Sequence, residues 1–408
     1  MVRATGRWPT LLIAASVSWV AGCVPATPIP ASSPPPSLTK SAFPTSTPEP
    51  SPSATGIPRL ADEFEVGRLD PELTDTILEF ASDGSSILFS SGLAEDAASN
   101  AAPDLWRVEA GADEPPELLW RNPARDHSIV KLAGDLGMVA FVDIPLDGTR
   151  AWDLWLIPRH EEEAILLDTH PGNTEVSSLV PSFSVQEQTI VWTAFDIRPD
   201  GPVSQMLVAR APDWEPMLLL ERSAAERELW FPSLHGARVA FCEVVYSPDR
   251  TNDERHVYIL DLGAPEAEPV RLDHSDLATM PILVEDTVIW KEADPGFSMF
   301  NWGLLWRHDV GGPGPMRLDT APVDYVDTPS AGSRFVAWSA ADSFQFVVYD
   351  LLEDRPRVIE RYTAAEQANV LRPHIAWDLL VWLYAEGETA DGYAEVRYAF
   401  LPPVRSPR

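Results

Sequence analysis

The chain has 408 residues, with 62 Asp and Glu against 30 Lys and Arg and only two cysteines. A net charge of −32 repels nucleic acid and anionic lipid headgroups, which excludes a DNA or RNA partner. Two cysteines cannot build a disulfide scaffold, so the fold must rest on a hydrophobic core, which a chain of this size can supply.

Arg3 and Arg7 open a short basic region, and an apolar run follows from Leu11 to Val20. That run is too short to span a bilayer as a mature helix and has the layout of a secretory signal. The segment Val20-Ala21-Gly22-Cys23 resembles the bacterial lipoprotein signal. The resemblance implies a signal peptide over residues 1–22 and acyl chains on Cys23, which anchor the protein to a membrane of the bacterial cell envelope. More than one chain is what stable anchoring needs. Cys242 then has no partner, and its setting, "RVAFCEVVY", reads as a buried small hydrophobe.

Residues 24–58 hold 11 Pro, 7 Ser and 5 Thr. Such a segment has too little apolar surface to fold, and its prolines favour an extended backbone. At about 3.1 Å per residue its reach is roughly 110 Å. Residues 23–58 are therefore expected to be a lipidated, disordered stalk, and residues 59–408 the folded domain. That domain has 27 Lys and Arg against 61 Asp and Glu, a net charge of about −34, which suits extracytoplasmic solubility and would favour cations or basic ligands.

From residue 76 onward one pattern returns seven times. It reads "SSILFSS", "GMVAFVD", "QTIVWTA", "ARVAFCE", "DTVIWKE", "RFVAWSA" and "DLLVWLY". The aromatic falls at Phe89, Phe141, Trp192, Phe241, Trp290, Trp338 and Trp382, at spacings of 52, 51, 49, 49, 48 and 44 residues. Each copy precedes a second apolar segment, such as "DLWRV" or "HVYIL", and six precede a third, such as "ELLWR" or "MRLDT". Ahead of the aromatic lies another short run, often opened by proline, as in "FPSLH", "MPILV" and "RPHIA". Short runs rich in Val, Ile and aromatics, bounded by Gly, Pro and Asp, read as strands. Four strands per unit of about fifty residues, seven times over, predict an all-β, seven-bladed β-propeller. One blade is apolar on both faces, so blades must stack until a ring closes. The seventh unit lacks a fourth strand, and "DEFEVGRLD" (62–70) is expected to supply it. Six blades plus a hairpin is the alternative.

The unit "FASDGSSILFSS…DLWRVEAGADEPPELL" resembles the TolB-like, WD-repeat-like propeller repeat: an Asp-Gly turn, an apolar strand, then an aspartate-led strand. Ser82-Asp83-Gly84 lacks that family's proline; "VVYDLLEDRPRVIE" and "VYILDLGAPEAEPVRLD" match its later half. The resemblance spans most of residues 76–400 and implies the fold. It also implies a role in binding peptides or proteins at the channel mouth. Neither the α/β domain of the colicin-import protein nor a serine peptidase domain is expected beside it.

Chemistry-bearing motifs are sparse. There is no Gly-x-Ser-x-Gly elbow, and "HEEEA" at His160 lacks a second zinc-binding histidine. The eight histidines are scattered; His235 and His374 hold similar places in the innermost strands and are the pair that a metal would need. Asp143, Glu243 and Glu292 each stand two residues past the core aromatic, and Asp168, Asp273 and Asp319 each end a fourth strand. They read either as turn caps or as a carboxylate ring for a basic ligand or calcium; no resident cofactor is otherwise expected. Phe297, Phe300 and Trp302 lie in the loop "EADPGFSMFNW", where aromatics suit glycan stacking or peptide capture. The leading expectation is a non-catalytic lipoprotein, held at the membrane by Cys23. Its propeller would bind a protein, peptide or glycan at the channel mouth. The alternatives are a metal-assisted, lyase-like glycan enzyme and a structural envelope docking protein.

Overall fold

The computed structural model describes residues 65–69, 77–91, 104–124, 126–161, 163–172, 180–248, 253–264, 266–293, 303–318, 326, 328–340, 345–361, 368–386 and 393–402. Cys23, the 24–58 stalk, Phe297, Phe300, Trp302 and Asp319 lie outside them. The described residues form strands and turns, with no helix.

A short strand, β1 (Val66–Arg68), comes first. Blade 1 follows as β2 (Ile77–Ser82), β3 (Ser86–Ser91), β4 (Asp104–Glu109) and β5 (Glu117–Trp120). Blade 2 is β6 (His127–Asp135), β7 (Met138–Pro145), β8 (Trp152–Ile157) and β9 (Ile165–His170). Blade 3 is β10 (Phe183–Gln186), β11 (Thr189–Arg198), β12 (Gly201–Arg210) and β13 (Met217–Ser223). Blade 4 is β14 (Arg227–His235), β15 (Arg238–Val245), β16 (Glu254–Asp261) and β17 (Val270–Arg271). Blade 5 is β18 (Ala278–Val284), β19 (Thr287–Ala293), β20 (Gly303–Asp309) and β21 (Met316–Arg317). Blade 6 is β22 (Ser330–Ala331), β23 (Phe335–Ala340), β24 (Gln345–Asp350) and β25 (Arg355–Arg361). Blade 7 is β26 (Ala368–Ala376), β27 (Leu379–Glu386) and β28 (Tyr393–Phe400), and β1 is its fourth strand.

Every sheet is antiparallel and four-stranded; six are meanders of consecutive strands, and the seventh is β26, β27 and β28 completed by β1. The seven-bladed expectation holds, and so does the prediction that residues before the first unit complete the last. Val66, Gly67 and Arg68 pair with Ala399, Tyr398 and Arg397. The pairing extends through Leu69, whose N–H donates to the Val396 carbonyl at 3.0 Å.

The core is a set of seven seams between blades. Phe89 packs with Leu379 and Val381 of blade 7, Phe141 with Leu88 and Leu105 of blade 1, and Trp192 with Trp152 and Leu154 of blade 2. The other four aromatics each sit on the preceding blade in the same way. All seven are at most 1% exposed. The repeat is visible in sequence because every seam needs one large apolar plug at the same depth.

A polar joint repeats beside the plug. Ser184, Ser233 and Ser330 stand opposite the residue just before the aromatic. Each hydroxyl accepts the backbone N–H of the next blade's inner strand: Leu234 at 3.1 Å, Leu283 at 2.9 Å and Ile375 at 3.0 Å. In blade 7 the equivalent residue is His374, opposite Val381. Its Nδ1 accepts the Ser82 N–H of blade 1 at 3.4 Å, while Ser82 Oγ donates back to the Leu379 carbonyl at 3.2 Å. The histidine thus closes the ring with the kind of joint that blades 3, 4 and 6 make with serine.

Burial pushes the His374 imidazole down to about 4, so it stays a neutral acceptor. Two outcomes follow. Replacing the acceptor with leucine strands a buried N–H and costs about 1–3 kcal/mol, whereas His374→Ser should lose less; denaturant unfolding measures both. Because the unfolded histidine takes a proton near pH 6.5 and the folded one does not, native stability is complete above that value. It declines as the pH falls from 6.5 to about 4, by at most on the order of 3 kcal/mol. His374→Ser should flatten that slope in a pH series. At the β1–β28 seam, a Cβ on Gly67 would lie 2.1 Å from the Tyr398 ring. Gly67→Leu therefore overpacks the closure at a cost of about 1–3 kcal/mol, seen as a lower Tm by calorimetry.

Candidate functional site: the entry mouth of the channel

In each blade the first strand is innermost and runs from the face bearing the blade-to-blade connections towards the hairpin turns. The two ends of the channel are called here the entry mouth and the turn mouth. Near the entry side the inner strands break register. Slips occur between Trp230 and Ser233, Thr279 and Ile282, and Leu371 and His374. Pro232, Pro281 and Pro373 sit inside these slips, and the residue before each takes a positive φ: Phe231 at 50°, Met280 at 51° and Arg372 at 52°. Proline cannot donate to a ladder and is tolerated at a bulge. The prolines expected to open these strands instead interrupt them.

Residues at this level form one ring: Glu79, Lys131, Ser182, Phe231, Met280, Thr328 and Arg372, in blade order 1 to 7. Lys131 and Arg372 lean on the next blade, whereas Phe231 stays on its own, edge-on to Trp230 at 5.7 Å. Lys131 Nζ donates to the carbonyls of Val180 and Pro181 at 3.2 and 3.0 Å and to Ser182 Oγ at 3.4 Å. Arg372 Nη1 pairs with Glu79 Oε2 at 3.0 Å. The charged members of the ring, Arg372, Glu79 and Lys131, fall on blades 7, 1 and 2, whereas blades 4 and 5 carry Phe231 and Met280 at the same register position. Being walled in by protein pushes the Glu79 carboxyl up to about 7, against the pull of Arg372 and Lys131. The same burial brings the Lys131 ammonium down to about 8, against the pull of Glu79.

The turn mouth is braced. Trp377, in the first hairpin of blade 7, lies against Gly84 of blade 1, where a Cβ would be 2.7 Å from the indole. Its Nε1 donates to Asp135 Oδ1 of blade 2 at 2.6 Å. The other Asp135 oxygen accepts the Glu187 N–H of blade 3. One indole and one carboxylate thus tie four consecutive blades across this end.

Among the described residues, the carboxylates singled out in the sequence are engaged in seams and turns rather than gathered in a ring at the mouth. Asp143 and Glu243 lie on the same strand face as the core aromatic, since two residues on means the same side, and they are buried in the seams. Asp143 Oδ2 meets His127 Nδ1 at 2.6 Å, and burial raises its pKa against that bond. Glu243 accepts from Arg222 of blade 3 at 2.6 Å and from Arg227 at 3.2 Å. Glu292 accepts the Trp290 indole N–H at 3.3 Å and lies 3.6 Å from His274 Nδ1. Asp168 accepts the Trp192 indole N–H of the next blade at 2.8 Å; burial raises its pKa despite that bond. Asp273 accepts the Val257 N–H at 2.6 Å. These groups serve the seams and turns.

The two histidines proposed as a pair do not meet. His374 is the ring-closing joint, and His235 stands two register positions further on, three blades away, where Nδ1 contacts Gln186 Nε2 at 3.1 Å. Among the described residues a different group could hold a metal: Glu254, His256 and Asp276, whose ligand atoms all lie within 4.8 Å of one another. The alternation Glu254-Arg255-His256 puts the first and third side chains on one strand face, a signal that sequence spacing alone left unremarked. Cys242 is buried as expected, and burial pushes its thiol up to about 12, which removes it as a nucleophile.

The fold defines a seven-bladed β-propeller, braced across its turn mouth. No protein-family model matches the chain, and no curated protein does either. Its solved structural neighbours include the β-propeller domain of the Trilobed protease from Pyrococcus furiosus, at a TM-score of 0.54 and 8% identity over 78% of this chain and 92% of that one. An oligogalacturonate lyase in complex with manganese gives 0.52 and 13%, over 83% and 93%. A prolyl endopeptidase gives 0.54 and 12%, over 77% of this chain and 46% of that one, so the present chain spans less than half of that enzyme. At these identities the likeness is one of fold, and it is shared by peptidases and a lyase.

The Glu79–Arg372 pair carries its own test. Carboxyl NMR of Glu79 should titrate near pH 7, and Arg372→Met should move the midpoint higher, because the arginine is the largest charge holding it down.

Proposed function

We propose that this chain is a non-catalytic binding lipoprotein of the bacterial cell envelope. Its TolB-like propeller takes a protein, peptide or glycan segment at the entry mouth. The observation that carries this reading is the uneven ring: Arg372, Glu79 and Lys131 form a charged arc on blades 7, 1 and 2, Phe231 and Met280 stand at the same register on blades 4 and 5, and the opposite end is braced by Trp377 and Asp135. A ligand with one apolar and one polar side would meet both kinds of residue. Rigid scaffolds that present a few convergent polar groups beside apolar ones are the usual form of a binding site.

Support for a binding role over a catalytic one comes from how the ring's groups are engaged. The Lys131 ammonium has three donors and three acceptors around it, which leaves it poorly placed as a base. A metal-assisted glycan enzyme would need imidazoles gathered at the mouth, and His235 and His374 are each bound elsewhere. The lipoprotein part of the proposal rests on Val20-Ala21-Gly22-Cys23 and the proline-rich segment after it.

Peptide and glycan arrays probed with the purified chain test the reading. Hits should bind at least tenfold more weakly to Met280→Gln and to Arg372→Met, and equally well to Trp377→Phe. Equal binding to all variants, or turnover of a hit, would sink it. Labelling with a palmitate analogue should be lost in Cys23→Ser.

A further inference from the structure

We propose that Glu254, His256 and Asp276 form a binding site for a divalent transition ion of the zinc class, on the entry-mouth side of blade 4. Glu254 and His256 project from the start of β16, and Asp276 comes from the connection into blade 5. That connection is held in place by the Arg255 N–H, which donates to the Asp276 carbonyl at 2.8 Å, and by a parallel bridge between Arg255 and Leu277.

His256 is set up as a ligand by its other nitrogen. Its side chain is 4% exposed, and Nδ1 lies 3.4 Å from Oδ2 of Asp273, a carboxylate with no exposure at all. Asp273 is itself fixed by the Val257 N–H at 2.6 Å and by Arg271 at 2.9 and 3.1 Å. A carboxylate that accepts from Nδ1 leaves the Nε2 lone pair pointing outward and raises its basicity, which is the support that metal-binding histidines generally have. Nε2 points at carboxylates: Glu254 Oε2 is 3.2 Å away, and an Asp276 oxygen lies within 4.8 Å of both. With no ion present a proton on Nε2 donates to Glu254; a cation that displaces this proton would take the lone pair and both carboxylates together.

Charge and geometry agree with such a cation. Three carboxylates meet one guanidinium here, since Arg271 also lies 3.5 Å from Asp276 Oδ1, so a divalent ion restores neutrality. Ligand atoms about 2.0–2.2 Å from zinc in a tetrahedral shell lie roughly 3.3 Å apart. The Nε2–Oε2 pair already has that spacing, and Asp276, 67% exposed, is free to close the rest. One imidazole with two carboxylates suits zinc or its neighbours rather than calcium or magnesium, which prefer all-oxygen shells. The remaining position would hold water.

The test is calorimetric titration of Zn²⁺ into the chelator-stripped full chain at pH 7. One site per chain is expected. Glu254→Gln and Asp276→Asn act on exposed groups and leave the fold intact; each should weaken binding at least tenfold, and the double variant should abolish it. Asp273→Asn should cost about 10–100-fold through the Nδ1 bond. Zinc should also raise the Tm of the parent chain and not that of the double variant. Equal binding by parent and double variant would assign the zinc to the general acidic surface and overturn the proposal, as would no binding. The ring at the mouth plays no part in this result, so it stands or falls apart from the ligand-binding reading.

Discussion

Everything in this molecule depends on closing the ring. A blade has two apolar faces and cannot stand alone, so each seam is stable only while every other seam is made. Six of the seven seams join sequence-adjacent blades. The seventh joins the last blade to the first, with most of the domain between them in sequence, and it is here that the chain departs from its own pattern. Three residues of β1 pair with β28, and a histidine takes the place of serine in the inner joint. An indole then reaches past blade 1 to blade 2, and Arg372 bridges to Glu79. The closing contacts and the candidate binding ring therefore share residues. The charged arc of the channel is also the place where the ring is locked.

That overlap explains why several groups with a functional look turn out to be structural. Along the second strand the aromatic plug and the residue two places on share a face. An acid at that position is carried into the seam, where desolvation must be offset by a partner. Asp143 finds His127, and Glu243 finds two arginines, one of them on the neighbouring blade. Indole nitrogens follow the same logic. Trp192 and Trp382 are fully buried, and their N–H groups reach Asp168 and Glu360 of the preceding blades. An interior built of stacked plugs has to satisfy its polar edges across blades, and acidic residues at strand ends do that work.

The fold was legible in the sequence because one physical demand recurs at a fixed interval. A plug such as Trp290 or Trp338 must return every fifty residues or so, and no helix or two-layer arrangement imposes that rhythm. The closure by residues 62–70 was legible by elimination, as the seventh unit was one strand short. The site was far less readable. The ring of Glu79, Phe231 and Arg372 depends on bulges that shift register by one or two residues, and a proline in a strand does not say which neighbour it turns into the channel. His374 and His235 looked equivalent because both sit in inner strands. Register separates them, and register is set by pairing, not by distance from a motif. The Glu254–His256–Asp276 group joins a strand to a connection twenty residues later, brought together by the Arg255–Asp276 backbone bond and the parallel bridge at Leu277.

The position of β1 has a mechanical consequence. Its first residue lies at the turn-mouth end of blade 7, because it pairs antiparallel with β28 from Ala399 back towards Arg397. A pull on the preceding chain, resisted by a ligand at the entry mouth, runs along the strand rather than across it. The backbone bonds of Val66 to Leu69 and the Arg68–Glu395 pair would then be loaded together, in shear, instead of opening one after another like a zip. With the Tyr398 ring seated over Gly67, the strand also cannot slide without lifting an aromatic out of its seat. The same short strand that completes the last blade thus makes the propeller resist force best along the strand, in the direction of a pull on the chain that leads into it.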